Sequence, residues 1–275
     1  MEFGTHARDT CGFLAGDDRS RLSDFNRGVR SKSVRAILCM RGGYGSGRIL
    51  PDIDFAALNR NPKIIVGCSD LTTILCGATS QSRIVSFHGP TVQSLMDHTC
   101  PEYTFRSLLQ RLSGNASSTG SILQGYPNAK QTIDCIHRGR TTGRLLGGNL
   151  SILLSIVGTR FLPSFDGAIV CLEDVNEPPF RIDRALTQLL NLGLLQSARG
   201  FALGIFEGCA YRSKEATRRQ SLRDTIIDRL KPLKKPIVLG LPFGHVPYNS
   251  TLPFGALATL DAHRGDLIIE ESGVR

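Results

Sequence analysis

Short apolar runs alternate with longer amphipathic stretches along most of this chain, the pattern of parallel βα units. SVRAILCM (33–40) reads as a strand that ends at the loop RGGYGSG, and the helix-like ILPDIDFAALNRN follows it. PKIIVGCS is the next strand, followed by the helical LTTILCGATSQ, and RIVSF is another, running into HGP. A helical stretch covers residues 91 to 112. GNASSTGSILQGYPNAKQT, rich in Ser, Gly, Asn and Thr, reads as a linker or surface excursion. Beyond it, GRLLGGNLSILLSIVGT has the small-residue turn and apolar helix of a packed element. DGAIVCLEDV, FALGIFEGC and KPIVLGLPFGH read as strands, separated by the helical RIDRALTQLLNLGLL and SLRDTIIDRLKPL. The expected architecture is α/β: an N-terminal αβ domain over 1–112 with an open, mostly parallel sheet, a linker over 113–142, and a C-terminal αβ, β-rich domain over 143–275.

Composition narrows the class. With 275 residues, 41% of them hydrophobic and 21% charged, the chain can build one large or two modest globular cores. The formal charge of +9 invites a nucleic-acid reading. The basic residues are scattered, however, in small clusters such as RSKSVR, YRSKEATRR and RLKPLKK on segments that read as solvated helix faces. No RNP, helix-turn-helix or zinc-finger pattern is present, so no nucleic-acid partner is expected, although an anionic substrate suits the field. The eight cysteines form no CxxC pair, and Cys39, Cys68 and Cys171 lie inside apolar runs. They read as small core residues of a reduced compartment, neither a disulfide framework nor a metal site. The N-terminus has no apolar signal-like run, and no stretch approaches the roughly 18 apolar residues of a membrane span. A cytoplasmic protein with no membrane partner is expected.

Three residues then stand out by position. Ser69, Glu173 and His245 each follow an apolar strand, at the carboxyl ends where open αβ sheets place their sites. Taken singly, a Ser after Gly is commonly a helix cap, a Glu at a strand end an ion-pair or capping residue, and a His in PFGH structural. Together they are a nucleophile, an acid and a base in an order known for serine acyl transfer. RGGYGSGR (41–48) supplies the Gly-rich backbone such chemistry needs, with Gly43 and the amide of Asp70 as oxyanion donors. It lacks the GK[ST] of a Walker loop and does not fit the dinucleotide fingerprint. Cys68 places a thiol beside Ser69, His88 in SFHGP reads as a structural residue at a strand end, and Asn149 as a turn or cap residue.

The blocks RGGYGSGRILPDIDF, NPKIIVGCSDLT, VSFHGP, GRLLGGNLSIL, LEDVNEPPFRIDRAL and LPFGHVPYNSTLPFGALATLD resemble, in this order, those of LD-carboxypeptidases, serine peptidases of the murein-tetrapeptide and microcin C self-immunity type. The resemblance implies a triad of Ser69, Glu173 and His245, with Glu177 the competing acid. Glu173 is preferred because it stands directly at the strand end, whereas Glu177 precedes a Pro-Pro turn. It implies release of terminal D-alanine from a cytoplasmic muropeptide, a homodimer, and no metal or organic cofactor. Arg41 and Arg184 are candidates, on position, to hold the substrate carboxylate through a bidentate contact. Microcin-type relatives cleave other amides, which is the alternative reading. Family members begin with an additional strand and helix ahead of the block that here starts at Gly12. The first domain is therefore expected to lack its first strand, exposing a sheet edge at a cost on the order of several kcal/mol or more. An inactive binding homologue is the reading that this loss would favour.

Overall fold

A computed structural model describes residues 2–115, 118–211 and 220–274. The strands are β1 (Ala36–Leu38), β2 (Ile64–Gly67), β3 (Ser86–His88), β4 (Gly120–Ser121), β5 (Asp134–His137), β6 (Arg140–Asn149), β7 (Ala168–Glu173), β8 (Gly200–Ile205), β9 (Ile237–Gly244), β10 (Leu252–Phe254), β11 (Leu257–Asp261) and β12 (Asp266–Ile269). The helices are α1 (Asp18–Arg30), α2 (Ser46–Ile49), α3 (Phe55–Arg60), α4 (Thr72–Ser82), α5 (Val92–Met96), α6 (Glu102–Leu112), α7 (Ala129–Thr132), α8 (Leu150–Leu154), α9 (Pro179–Asn191) and α10 (Leu222–Leu230).

Two sheets carry the fold, as the alternating pattern requires. The first has the order β1-β2-β3-β10, with β1, β2 and β3 parallel and β10 antiparallel to β3. The second has the order β4-β12-β11-β6-β7-β8-β9-β5. Its centre, β6 to β9, is parallel, and its flanks are antiparallel. β7 is buried along its whole length, which is why AIVCLE reads as a continuous apolar run rather than an alternating one. On its outer side β1 pairs with no further strand among the described residues, and Leu38 and Met40 beside that edge are each 41% exposed.

Several elements differ from the sequence reading for identifiable reasons. Residues 113–142, expected as a linker, contribute β4 and β5 to the two edges of the second sheet and also contain the start of β6. Their partners, β12 and β9, lie far away in sequence, so local composition gave no sign of the pairing. GRLLGGN, expected as a turn leading to a helix, is the end of β6, and only Leu150–Leu154 is helical. The helix expected over 49–61 is interrupted by a tight turn over Leu50–Asp52 that contains Pro51. Asp54 then caps α3 by accepting the Ala57 N–H at 2.9 Å. Pro101 likewise separates α5 from α6 inside the stretch 91–112. The basic cluster YRSKEATRR falls almost wholly outside the described residues.

One apolar cluster joins the two halves. Leu58, Ile74 and Leu75 from the first pack in the same cluster as Leu150, Leu153 and Leu172 from the second. Each fully buried leucine contributes about 1.5–3 kcal/mol. Backbone approach at the seam is close enough to demand glycine. A Cβ on Gly147 would lie 1.8 Å from the Cys171 carbonyl oxygen, and one on Gly148 2.4 Å from Thr72 Cγ2. Gly147→Ala, at a φ of +146°, is expected to lower stability by about 1–3 kcal/mol. Urea unfolding checks this, and an unchanged midpoint contradicts it.

Candidate active site

β2 delivers Ser69 on a sharp turn. The strand ends at Gly67, and Ser69 adopts a φ of 61°, a left-handed conformation that costs a non-glycine residue about 1–3 kcal/mol. The chain then folds back at once through a short 3-10 turn into α4. This reversal is so tight that a Cβ on Gly67 would meet Leu71 Cβ at 2.9 Å. Ser69 is left half-buried, whereas the neighbouring Cys68 is only 8% exposed. Burial, and then the charge of Glu173, push the Cys68 thiol up to about 12. The reactive thiolate is thereby suppressed, and the hydroxyl is the group open to the site.

The Gly-rich loop is tied to this elbow. The Asp70 carboxylate accepts the Ser46 N–H at 2.8 Å, and Ser46 Oγ donates to the Asp70 carbonyl. Ser46 Oγ also lies 2.7 Å from Thr73 Oγ1 at the start of α4. These contacts press the loop backbone onto the serine. A Cβ on Gly42 would lie 2.9 Å from Ser69 Cβ and 3.1 Å from Ser69 Oγ. Gly43, with φ +113°, continues the loop past Ser69 in a conformation that favours glycine. Its amide and that of Asp70 are thus carried by the two segments that meet at Ser69. The exposed Arg41 runs alongside, its Nη2 3.7 Å from the position a Gly43 Cβ would take.

The second sheet supplies the other pair. Glu173 ends β7 and His245 follows β9. His245 Nδ1 lies 2.7 Å from Glu173 Oε2, with the carboxylate fully buried and the imidazole 22% exposed. Gly244 permits that approach, since a Cβ there would sit 3.0 Å from Glu173 Oε2. Burial acts to lower the His245 pKa, but the hydrogen bond and charge of Glu173 outweigh it and raise the value above the ordinary 6.5. A carboxylate at Nδ1 fixes the tautomer in which Nε2 is free to accept a proton. Ser69 Oγ forms no hydrogen bond to His245 in this structure, and such contacts commonly tighten only when substrate is bound.

The remaining candidates separate clearly. Glu177 does not reach the imidazole, and its Oε2 instead accepts from Arg181 at 3.2 Å, one helical turn on. Arg184 stacks over Phe180 on the exposed side of α9, at 5.7 Å, and makes no hydrogen bond or ion pair to the triad residues or the Gly-rich loop. His88 is fully buried between Phe254 and Phe243, and burial pulls its pKa down to about 4, so the ring is neutral. Asn149 caps α8 through the Ile152 N–H and donates to Asp174. Among the described residues no three His, Cys, Asp or Glu side chains are grouped to hold a metal ion, and no helix is long and apolar enough to cross a membrane. Gly42, Ser46 and Gly244 were not singled out from sequence. The run of small residues in the Gly-rich loop was the only signal for the first two.

Comparison with known proteins matches the LD-carboxypeptidase N-terminal domain to residues 1–89 and the LD-carboxypeptidase C-terminal domain to residues 142–260. A Synechocystis protein whose carboxypeptidase name is itself provisional is 38% identical over 256 residues, 93% of this chain and 79% of that one. The murein tetrapeptide carboxypeptidase of Pseudomonas aeruginosa is 31% identical over 264 residues, 95% of this chain and 83% of that one. The microcin C7 self-immunity protein MccF, in its wild-type apo state, superposes with a TM-score of 0.83 at 23% identity, over 99% of this chain and 86% of that one, a likeness of fold.

Removing the Glu173 charge isolates its effect on the imidazole. In Glu173→Gln, burial is left as the dominant influence and the His245 pKa is expected to fall below its wild-type value. An NMR titration of the His245 ring protons reads this directly, and an unchanged midpoint contradicts the pairing. Because the folded-state pKa is raised, the pair's contribution to stability is complete below about 6.5 and is lost as pH climbs through the folded value.

Proposed function

The chain belongs to the LD-carboxypeptidase family, and from that premise we propose that it hydrolyses the L,D-peptide bond of a murein tetrapeptide and releases terminal D-alanine. Serine-peptidase chemistry comes with the family. The substrate and the role of each residue are this proposal, and the single observation that carries the latter is the 2.7 Å contact between His245 and Glu173. The matched Pseudomonas aeruginosa protein, named for murein tetrapeptide, supports the choice of substrate.

In the reaction, Ser69 Oγ attacks the carbonyl carbon of the scissile amide while His245 Nε2 takes the hydroxyl proton. Negative charge that develops on the carbonyl oxygen is received by the N–H groups of Gly43 and Asp70, each such donor contributing about 10²–10³ in rate. His245 then gives its proton to the departing amine of D-alanine, leaving an acyl-enzyme on Ser69. Water attacks that ester with His245 again as base, and the shortened peptide leaves. Throughout, Glu173 holds the imidazole in place and balances its transient positive charge. Arg41, beside the loop, pairs with the substrate's terminal carboxylate. A cytoplasmic setting suits the free thiols of Cys68, Cys76, Cys171 and Cys209, all buried and unpaired.

Ser69→Ala is expected to lower D-alanine release from a murein tetrapeptide by about 10⁴-fold or more. Release at wild-type rate in that variant contradicts the role of Ser69. Gly42→Ala, which pushes a methyl group against the nucleophile, is expected to cost about 10² in kcat. For the wild type, kcat/KM should fall on acidification through the raised pKa of His245 and level off above it, because only the neutral ring accepts the serine proton. A profile flat across that range rules His245 out as the base.

A further inference from the structure

At the opposite end of the parallel strands from the triad lies a second cleft of about 1240 Å³, between the first sheet and the second half of the chain. Arg35 immediately precedes β1, Lys63 immediately precedes β2, and Arg83 stands three residues before β3. Since β1, β2 and β3 are neighbours in that order, these cations cluster at one end of the sheet. Arg144 and Arg160 line the facing wall. Among the described residues the one carboxylate that lines the cleft, Glu271, is already paired with Arg144 at 3.1 Å.

Among the described residues the other charges have no counter-charge. Among the described residues, Arg35, Arg83 and Arg160 make no ion pair with any carboxylate. Arg160 stacks on Phe161 at 5.0 Å, which leaves its donors available. The Lys63 ammonium is buried and donates to the Ser31 and Val34 carbonyls at 2.6 and 2.7 Å. Burial first, and then the neighbouring Arg35, pull its pKa down. The C-terminal end of α4 beside Arg83 offsets only about half a charge. Like charges gathered in a cleft repel one another and raise the local concentration of anions. The wall is also held in place, with Ser80 Oγ donating to the Phe161 carbonyl at 3.0 Å and Gln81 Nε2 to that of Arg160 at 2.5 Å.

We propose that this cleft is a binding site for a small anion carrying several phosphate groups, separate from the peptidase centre. Arginine forks match phosphate oxygens bidentately, and a cluster of cations facing further arginines suits a ligand of dense, repeated negative charge. A single carboxylate, such as the end of a peptide, would leave most of that charge unmatched.

The test is calorimetric titration of the full chain with inorganic triphosphate. The expected result is saturable binding of one ion per chain that weakens as salt rises. The double reversal Arg83→Glu, Arg160→Glu should weaken it by about tenfold or more. The milder pair Arg35→Gln, Arg83→Gln, checked by thermal unfolding, should weaken it to a smaller extent. Arg41→Ala, next to Ser69, should leave it unchanged. No saturable binding overturns the proposal, as does full-strength binding in either cleft pair. Loss of binding in Arg41→Ala alone would place the ion at the peptidase centre and overturn it equally.

Discussion

Close packing of α4 onto β6 is the constraint on which the placement of the candidate site residues depends. Ser69 is carried by the first sheet, and Glu173 and His245 by the second. The two sheets are brought together beside these groups because the helix that follows Ser69 backs directly onto the strand that pairs with the Glu173 strand. The seam is made by atoms that leave little room. Thr72 Oγ1 accepts the Asn149 N–H at 3.0 Å, Cys76 Sγ contacts the Gly147 carbonyl at 3.5 Å, and Gly148 yields to the Thr72 methyl group. β10 adds a second tie, since it leaves the C-terminal half to pair with β3 of the first sheet. Protein interiors are close-packed and transmit small displacements, so this seam sets where Ser69 lies relative to His245.

How much of this was legible in the sequence varies by element. Ser69, Glu173 and His245 stand out as candidates in the sequence because strand ends are marked by apolar runs that stop at Gly or at a charge. The order of those runs also gave two αβ halves. The preference for Glu173 over Glu177 is legible in its place directly at the strand end, but what carries Glu177 away is not, because it depends on how the chain turns at Asn176. That residue has a φ of 56° and donates its N–H to the Glu207 carbonyl at 2.8 Å, which directs Glu177 toward Arg181. Nor could β4 be read. A two-residue Gly-Ser strand has no pattern of its own, and β12 supplies its ladder from about 145 residues away. Gly147 and Gly148 looked like turn formers. Their reason is instead the approach of the Cys171 backbone and of Thr72.

Environment divides the labour among groups that look alike in sequence. Cys68 and Ser69 are adjacent, yet one is sealed in apolar surroundings that keep its thiol protonated and the other is held open by a left-handed backbone. His88 and His245 both follow apolar strand residues. The first is buried against two phenylalanines and stays neutral, whereas the second is partly open and coupled to a carboxylate. Burial opposes charge at both histidines. Only at His245 does a charged partner within 2.7 Å overcome it, and only there can the ring take up a proton and hold it.

In the proposed mechanism Ser69 is a nucleophile activated by the His245–Glu173 pair. Intact-protein and peptide mass spectrometry after exposure to a serine-directed fluorophosphonate reads this out. One adduct per chain, located on Ser69, is expected in the wild type, with its formation slowed severely in His245→Ala. An adduct on Cys68, an unmodified Ser69, or a rate indifferent to His245 would contradict it.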